Sequence, residues 1–372
     1  MPSKRSQNTK KIRYAVVGLG HIAQVAVLPA FAHAENSEVT ALVSDDPEKL
    51  EKLGRKHKVA GRFSYDRFEE CLEGVDAVYI ALPNHLHREF TERAARRGVH
   101  VLCEKPLAVT EEDCLSMIRV AEENRVKLMV AYRLHFEEAN LKAIDLVQSG
   151  RLGEPRLFDS VFTMTVKEGD IRLNPREMGG GTLYDIGIYC INAARNLFGA
   201  EPMEVVAFSA NCGDHRFGQC EETTSAILRF PGRERLASFT CSFGAADVGT
   251  YRVVGSKGEV VMEPAYEYAG ELEQRVTIEG RTRSKTFAKR DQFAPELISF
   301  SESILSGAAP EPSGWEGLAD VRIIRALYRS ADTGRPVELE PFIKEDRPSL
   351  EQELRRPPVS KPELVNTEAP SE

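Results

Sequence analysis

The chain has 372 residues, 42% apolar and 28% charged, with a net charge of −8. The length allows about two domains of roughly 150 to 200 residues, and the composition excludes the disordered and fibrous classes. The acidic balance argues against a nucleic-acid backbone as main partner, and no stretch approaches the roughly 18 apolar residues of a membrane helix.

The basic N-terminus (Lys4, Arg5, Lys10, Lys11, Arg13) leads into a short apolar run ending at Gly18. That is not a signal-peptide core with a cleavage site, so a cytoplasmic protein is expected. Apolar runs then alternate with helical patterns up to about residue 131. "RYAVVG" (13–18) precedes a helix over 21–33, "VTALVS" (39–44) one over 47–57, "DAVYIALP" (76–83) one over 85–97, and "HVLCEK" (100–105) one over 110–123; "KLMVAY" (127–132) ends the series. Continuous apolar strands between amphipathic helices describe a doubly wound parallel sheet, here a dinucleotide-binding Rossmann domain over 12–131.

The first βα turn reads Gly18-Leu19-Gly20-His21-Ile22-Ala23. Gly18 suits the tight turn, Gly20 lets backbone approach a pyrophosphate, and Ala23 permits close helix packing, with the helix N-terminus drawing the anion. After the second strand, Ser44 and Lys49 suit the 2′-phosphate of NADP, whereas Asp45 and Asp46 suit the free ribose hydroxyl of NAD. Asp46-Pro47 also reads as a helix cap. "LPNHLH" offers Leu82, Pro83, Asn84 and His87 to the cofactor at a strand end, or Asn84 and His87 serve only as capping or surface groups. "CEKP" places Glu104 and Lys105 where open α/β sheets bind ligands.

After a helix near 137–149 the pattern changes. "RLFDSVFTMTV", "MEVVAFSA", "TSAILRF", "RLASFTCSF", "YRVVGS" and "GEVVMEP" follow with turn signals at Pro231-Gly232 and Ser256-Lys257-Gly258. Consecutive strands without helices between them predict a large, mostly antiparallel sheet in a second domain over 132–345. Helices near 293–306 and 315–332 close that domain and cover one face. The other face, left open, predicts a homodimer or homotetramer. Beyond 345 a Pro-rich, charged segment (346–372) reads as an arm or a disordered tail. The seven cysteines include no C-x-x-C pair, so no metal site or disulfide framework is expected.

Within the second domain, "GGGTLYDIGIY" (179–189) sets three glycines before a helix start, as for a backbone that passes close to something. A helix from about Thr182 puts Asp185 and Tyr189 on one face, while Ile186, Cys190, Ala193 and Leu197 mark another. A phenol with an unperturbed pKa of about 10 is a poor base at neutral pH, but an ammonium beside it favours the phenolate. Lys105 is the expected ammonium, with Asp185 orienting it or the substrate. Hydride then leaves a sugar carbon as Tyr189 takes the hydroxyl proton.

These motifs, with "AYRLHF" and "DVRIIRALYRSADTGRPV", resemble the glucose-fructose oxidoreductase / inositol dehydrogenase (Gfo/Idh/MocA) family over residues of about 12 to 340. The resemblance implies a Rossmann domain followed by an open-faced sheet domain. Inositol dehydrogenases carry histidine at the position of Tyr189 and commonly aspartate at that of Asn192. The tyrosine form is similar to glucose-fructose oxidoreductase, sugar 1-dehydrogenases and dihydrodiol dehydrogenases. It implies Lys105, Asp185 and Tyr189 as catalytic residues, Arg172 as a further substrate contact and Arg133 as a further cofactor contact. Ser44 and Lys49 match the NADP-using members, although Asp45 stands where these often have glycine. The expected activity is NADP-dependent hydride transfer from C1 of a cyclic aldose to give a lactone. The alternatives are reduction of a keto or dicarbonyl sugar, oxidation of a dihydrodiol, or a non-catalytic dinucleotide-binding regulator.

Overall fold

A computed structural model of the protein describes residues 10–232, 235–344 and 346–371. Its first six strands are β1 (Ile12–Val17), β2 (Ser37–Val43), β3 (Gly61–Phe63), β4 (Ala77–Ile80), β5 (His100–Glu104) and β6 (Leu128–Ala131). They form one sheet in the order β3-β2-β1-β4-β5-β6, every pairing parallel. Parallel neighbours require crossovers. These are the helical run α1 over 21–33, α2 (Pro47–His57), α3 (Phe68–Leu72), α4 (His87–Arg96) and α5 (Glu111–Glu123). Local chemistry sets the helix starts: Asp46 accepts from the amides of Glu48 and Lys49 with Pro47 at the first position, and Thr110 accepts from Asp113 N.

The second half opens with α6 (Glu138–Gln148), β7 (Pro155–Thr163), a π-helical turn Leu183–Gly187 and α7 (Ile188–Phe198). The strands β8 (Glu204–Ala210), β9 (Thr223–Phe230), β10 (Arg235–Ser242), β11 (Val248–Gly255), β12 (Gly258–Met262), β13 (Leu272–Ile278) and β14 (Arg281–Phe287) follow, then α8 (Ala294–Ser306), α9 (Gly314–Thr333) and β15 (Val337–Glu338). The sheet order is β14-β13-β12-β11-β7-β10-β9-β8-β15, antiparallel except for the parallel pair β7–β10. In β9, Ala226, Leu228 and Phe230 are buried while Ser225, Ile227 and Arg229 are exposed, so one face carries the core. Leu157, Phe208, Ile227 and Leu236 stand exposed on the other face.

Two features of the packing depart most from the sequence expectation. The hairpin β13–β14 is absent from it because "LEQRVTI" and "RTRSKTF" carry too little apolar alternation; β14 has only Phe287 buried. The helix α8, expected over the second sheet, packs instead on the first. Phe293, Ala294, Leu297 and Phe300 share a core with Tyr14 and Leu42, and Ser301 Oγ lies 2.8 Å from both Tyr14 Oη and Ser37 Oγ. A helix's apolar stripe specifies that it must be covered, not which sheet covers it.

Candidate active site

Gly18 has φ +90°, and a Cβ there would come within 2.4 Å of Ala81 O, so only glycine fits. At Gly20 an added Cβ meets no protein atom within 4 Å. Packing therefore does not explain the second glycine, while the close pass of a diphosphate does. Ala23 is fully buried, Leu19 nearly so, and His21 and Ile22 are half-buried at the helix start. This turn fits a dinucleotide. Ser44 is buried at the end of β2, its Oγ accepting from Asp46 N at 3.2 Å, and Lys49 Nζ lies 4.0 Å from Asp46 Oδ2. Asp45 Oδ1 accepts from Tyr65 N at 2.8 Å. Both acids thus serve backbone amides, Asp46 as the helix cap.

The strand-end residues divide. Asn84 Nδ2 donates to Gly179 O at 2.8 Å and ties the β4 end to the glycine loop, while Leu82 is buried and Pro83 half-buried beside it. His87, expected at the cofactor, has both ring nitrogens engaged within the protein. It is fully buried, with Nδ1 2.9 Å from Pro106 O and Nε2 2.9 Å from Leu82 O, joining two strand-end loops. Glu104 turns inward to accept from Tyr79 Oη at 2.8 Å, and burial raises its carboxyl above the ordinary value.

Lys105, Asp185, Tyr189 and Arg172 converge between the two sheets. Lys105 Nζ donates to Asp185 O at 2.8 Å and Oδ1 at 3.1 Å, and lies 4.9 Å from the centre of the Tyr189 ring. Arg172 Nε donates to Asp185 Oδ2 at 2.6 Å, while its Nη1 lies 3.1 Å from Asp170 Oδ1. Burial works to raise the Asp185 carboxyl, yet the charges of Arg172 and Lys105 hold it well below the usual carboxylate range. Lys105 is held above its ordinary value: burial lowers it, but Asp185 and Tyr189 outweigh that. The amine therefore stays charged, a fixed ammonium beside a phenol.

The glycine run makes this convergence sterically feasible. Gly179 (φ +82°) and Gly181 (φ +104°) take left-handed conformations, and a Cβ on Gly180 would sit 1.8 Å from Asn174 O. The loop packs tightly against Asn84, Asn174 and Glu221, delivering the next helix to the first domain. That helix opens with a π turn, not the regular α start expected at Thr182. A π turn interrupts the i→i−4 ladder, and at this turn Asp185 O accepts from Lys105.

Arg133, expected beside the cofactor, is buried against the tyrosine. Its guanidinium lies 5.0 Å from the Tyr189 ring and 5.3 Å from that of Tyr268, donating to Tyr266 O at 2.6 Å and to Gln292 Oε1. Phe162 and Tyr266 close the remaining sides, with ring centres 5.6 and 5.9 Å from Tyr189. Sequence reasoning missed these contacts because they arrive from β7 and the segments after β12, with no local motif. Beneath, Asn192 bridges His135 Nε2 (3.0 Å), Glu316 (2.7 Å) and Asp320 (2.9 Å), and Arg195 pairs with both acids.

Residues 12–132 match the oxidoreductase family with an NAD-binding Rossmann fold, and residues 140–261 match the GFO/IDH/MocA C-terminal domain. The D-xylose 1-dehydrogenase [NADP(+)] of Haloarcula marismortui is 32% identical over 337 residues, which is 88% of this chain and 93% of that one. A crystal structure of aldose-aldose oxidoreductase from Caulobacter crescentus, complexed with glycerol, superposes with a TM-score of 0.85 and 41% identity over 89% of this chain and 100% of that one. A 3-ketoreductase from Actinomadura kijaniata, in complex with NADP and TDP-benzene, has a TM-score of 0.79 and 29% identity over 86% and 98%.

Proposed function

The chain belongs to the Gfo/Idh/MocA oxidoreductase family, and from this we propose that it is an NADP-dependent sugar oxidoreductase moving hydride between C1 of a cyclic aldose and nicotinamide. The meeting of Lys105, Asp185 and Tyr189 between the two sheets carries this reading. Likeness to a xylose 1-dehydrogenase and an aldose-aldose oxidoreductase supports the choice of C1. Ser44 and Lys49 at the end of β2 favour NADP, as do the relatives named with it.

When bound, nicotinamide would supply the hydride acceptor at C4. Gly18, Gly20 and the start of α1 would hold the diphosphate, and Asn84 fixes the glycine loop against the β4 end. Tyr189 Oη takes the proton of the C1 hydroxyl as the C1–H electron pair leaves, and the C1–O bond becomes the lactone carbonyl. Lys105 and Arg133, both over the Tyr189 ring, stabilise the phenolate from which this proton is accepted, and in the reverse direction the charge left when the phenol gives its proton up. Asp185 holds Lys105 and Arg172 in place, and Arg172 steers the sugar hydroxyls. A second aldose or a keto sugar accepts hydride over the same residues in reverse, with Tyr189 as the acid.

The test is a panel of aldoses and keto sugars with NADP⁺ and NAD⁺, in both directions. Aldose oxidation with NADP⁺ is expected, with kcat down by about 10²- to 10⁴-fold in Tyr189→Phe and in Lys105→Ala. Turnover that survives both substitutions defeats the reading.

A further inference from the structure

The segment beyond residue 345 does not stop on the second domain. Arg356 donates to His33 O at 3.1 Å and to Glu35 at 2.7 Å, which carries the chain onto the end of α1. Lys56 Nζ then donates to Glu363 O at 3.2 Å. Val365 is latched in both directions: its N–H donates to Gln24 Oε1 at 2.8 Å, and its carbonyl accepts from Gln24 Nε2 at 2.9 Å. The same Gln24 amide donates to Leu19 O at 2.9 Å, within the phosphate turn itself. One buried side chain therefore ties the segment to the Gly18–Gly20 loop.

The next residue, Asn366, donates to Asp46 Oδ2 at 3.1 Å and Glu48 Oε2 at 2.9 Å, at the end of β2 where a Rossmann domain holds the adenosine ribose. The chain then crosses to the other domain. Lys167 N donates to Pro370 O at 2.9 Å, and Ser371 makes a β-bridge with Val166, a few residues from Asp170 and Arg172. Thus residues 361–371 span from the phosphate turn, past the ribose position, to the substrate side of the cleft. His21 in the phosphate turn is held below its ordinary value by burial first, then by the charges of Arg172 and, from this segment, Lys361.

We propose that residues 361–371 form a clamp over the dinucleotide, with Val365 latched beside the phosphate turn and Asn366 at the ribose end, so that cofactor leaves only when the segment lifts from Gln24. This rests on the NADP reading above and deepens it. A clamped cofactor stays in place between oxidation of one sugar and reduction of the next. Such a chain requires no free NADP⁺ for sugar-to-sugar transfer.

The experiment loads the full-length protein with NADPH, chases with excess NADP⁺, and follows loss of bound-NADPH fluorescence. Val365→Pro removes the N–H given to Gln24, and Asn366→Ala removes the ribose-end contact. The dissociation rate is expected to rise about tenfold in each, with the circular dichroism of the cofactor-free protein retained. Dissociation rates within twofold of wild type in both Val365→Pro and Asn366→Ala overturn the clamp while leaving the proposed function intact. A wild-type chain that binds neither NADPH nor NADH overturns the proposed function itself.

Discussion

Asp185 is the residue on which the cluster turns, because it holds two cations that would otherwise face each other across the cleft. Its folded carboxyl lies below the ordinary aspartate value of 3.8. As pH falls, the unfolded chain takes up the proton first, so the stabilisation is complete above that value and is lost as pH drops through the folded one. Asp185→Asn should lower stability by about 3 kcal/mol at neutral pH, since Lys105 and Arg172 lose their partner in a largely buried site. The gap between variant and wild-type thermal midpoints should begin to narrow below about pH 4 and go on narrowing as the pH falls further. Arg133 makes a different prediction. If it stabilises charge on the Tyr189 ring, Arg133→Gln should cut kcat about tenfold with KM for NADP little changed, the effect of one cation–π contact. A rise in KM alone, measured by steady-state kinetics, would return Arg133 to the cofactor.

At the scale of elements, the loop before α7 and the loop before α9 both carry testable chemistry. Gly180→Ala forces a Cβ to within 1.8 Å of Asn174 O, so the loop must move. Stability is expected to fall by about 2 kcal/mol or more, and kcat with it, since Asp185 and Tyr189 follow directly. Glu311, ahead of α9, is pushed up to about 7 by burial, against the pull of Lys344. A folded value above the unfolded 4.5 gives stability present at low pH and lost as pH rises through 7. Glu311→Gln should therefore gain on wild type in thermal unfolding between pH 5 and pH 8. The alternation of apolar runs and helices made the six parallel strands legible except β3, which is three residues long. The glycine run signals a close approach, and the loop makes one, to Asn84, Asn174 and Glu221, just ahead of Asp185 and Tyr189. What stayed hidden was long-range: the seat of α8 on β1 and β2, the turn of Arg133 onto Tyr189, and the burial of His87 between two carbonyls. None of these has a signal in spacing, because each depends on which surfaces meet after folding.

At the scale of the whole molecule, the open face of the second sheet is the next feature to test. Phe208 is 69% exposed and Ile227 45%, with Leu157 and Leu236 completing an apolar band across β8, β9, β10 and β7. We expect a second subunit to cover it. The mass in solution should be a multiple of 41.4 kDa, and Phe208→Asp with Ile227→Asp should return a monomer in light scattering. The catalytic proposal is likewise a property of both domains together, since Lys105 comes from one and Tyr189 from the other. It is tested most directly by single-turnover reduction of NADP⁺ with an aldose carrying hydrogen or deuterium at C1, in wild type and in Tyr189→Phe. Deuterium at C1 should slow the wild-type reaction, and Tyr189→Phe should slow it by a further hundredfold or more with either isotope. A rate indifferent to the C1 isotope, or unchanged in Tyr189→Phe, would contradict hydride transfer from C1 with Tyr189 as the base.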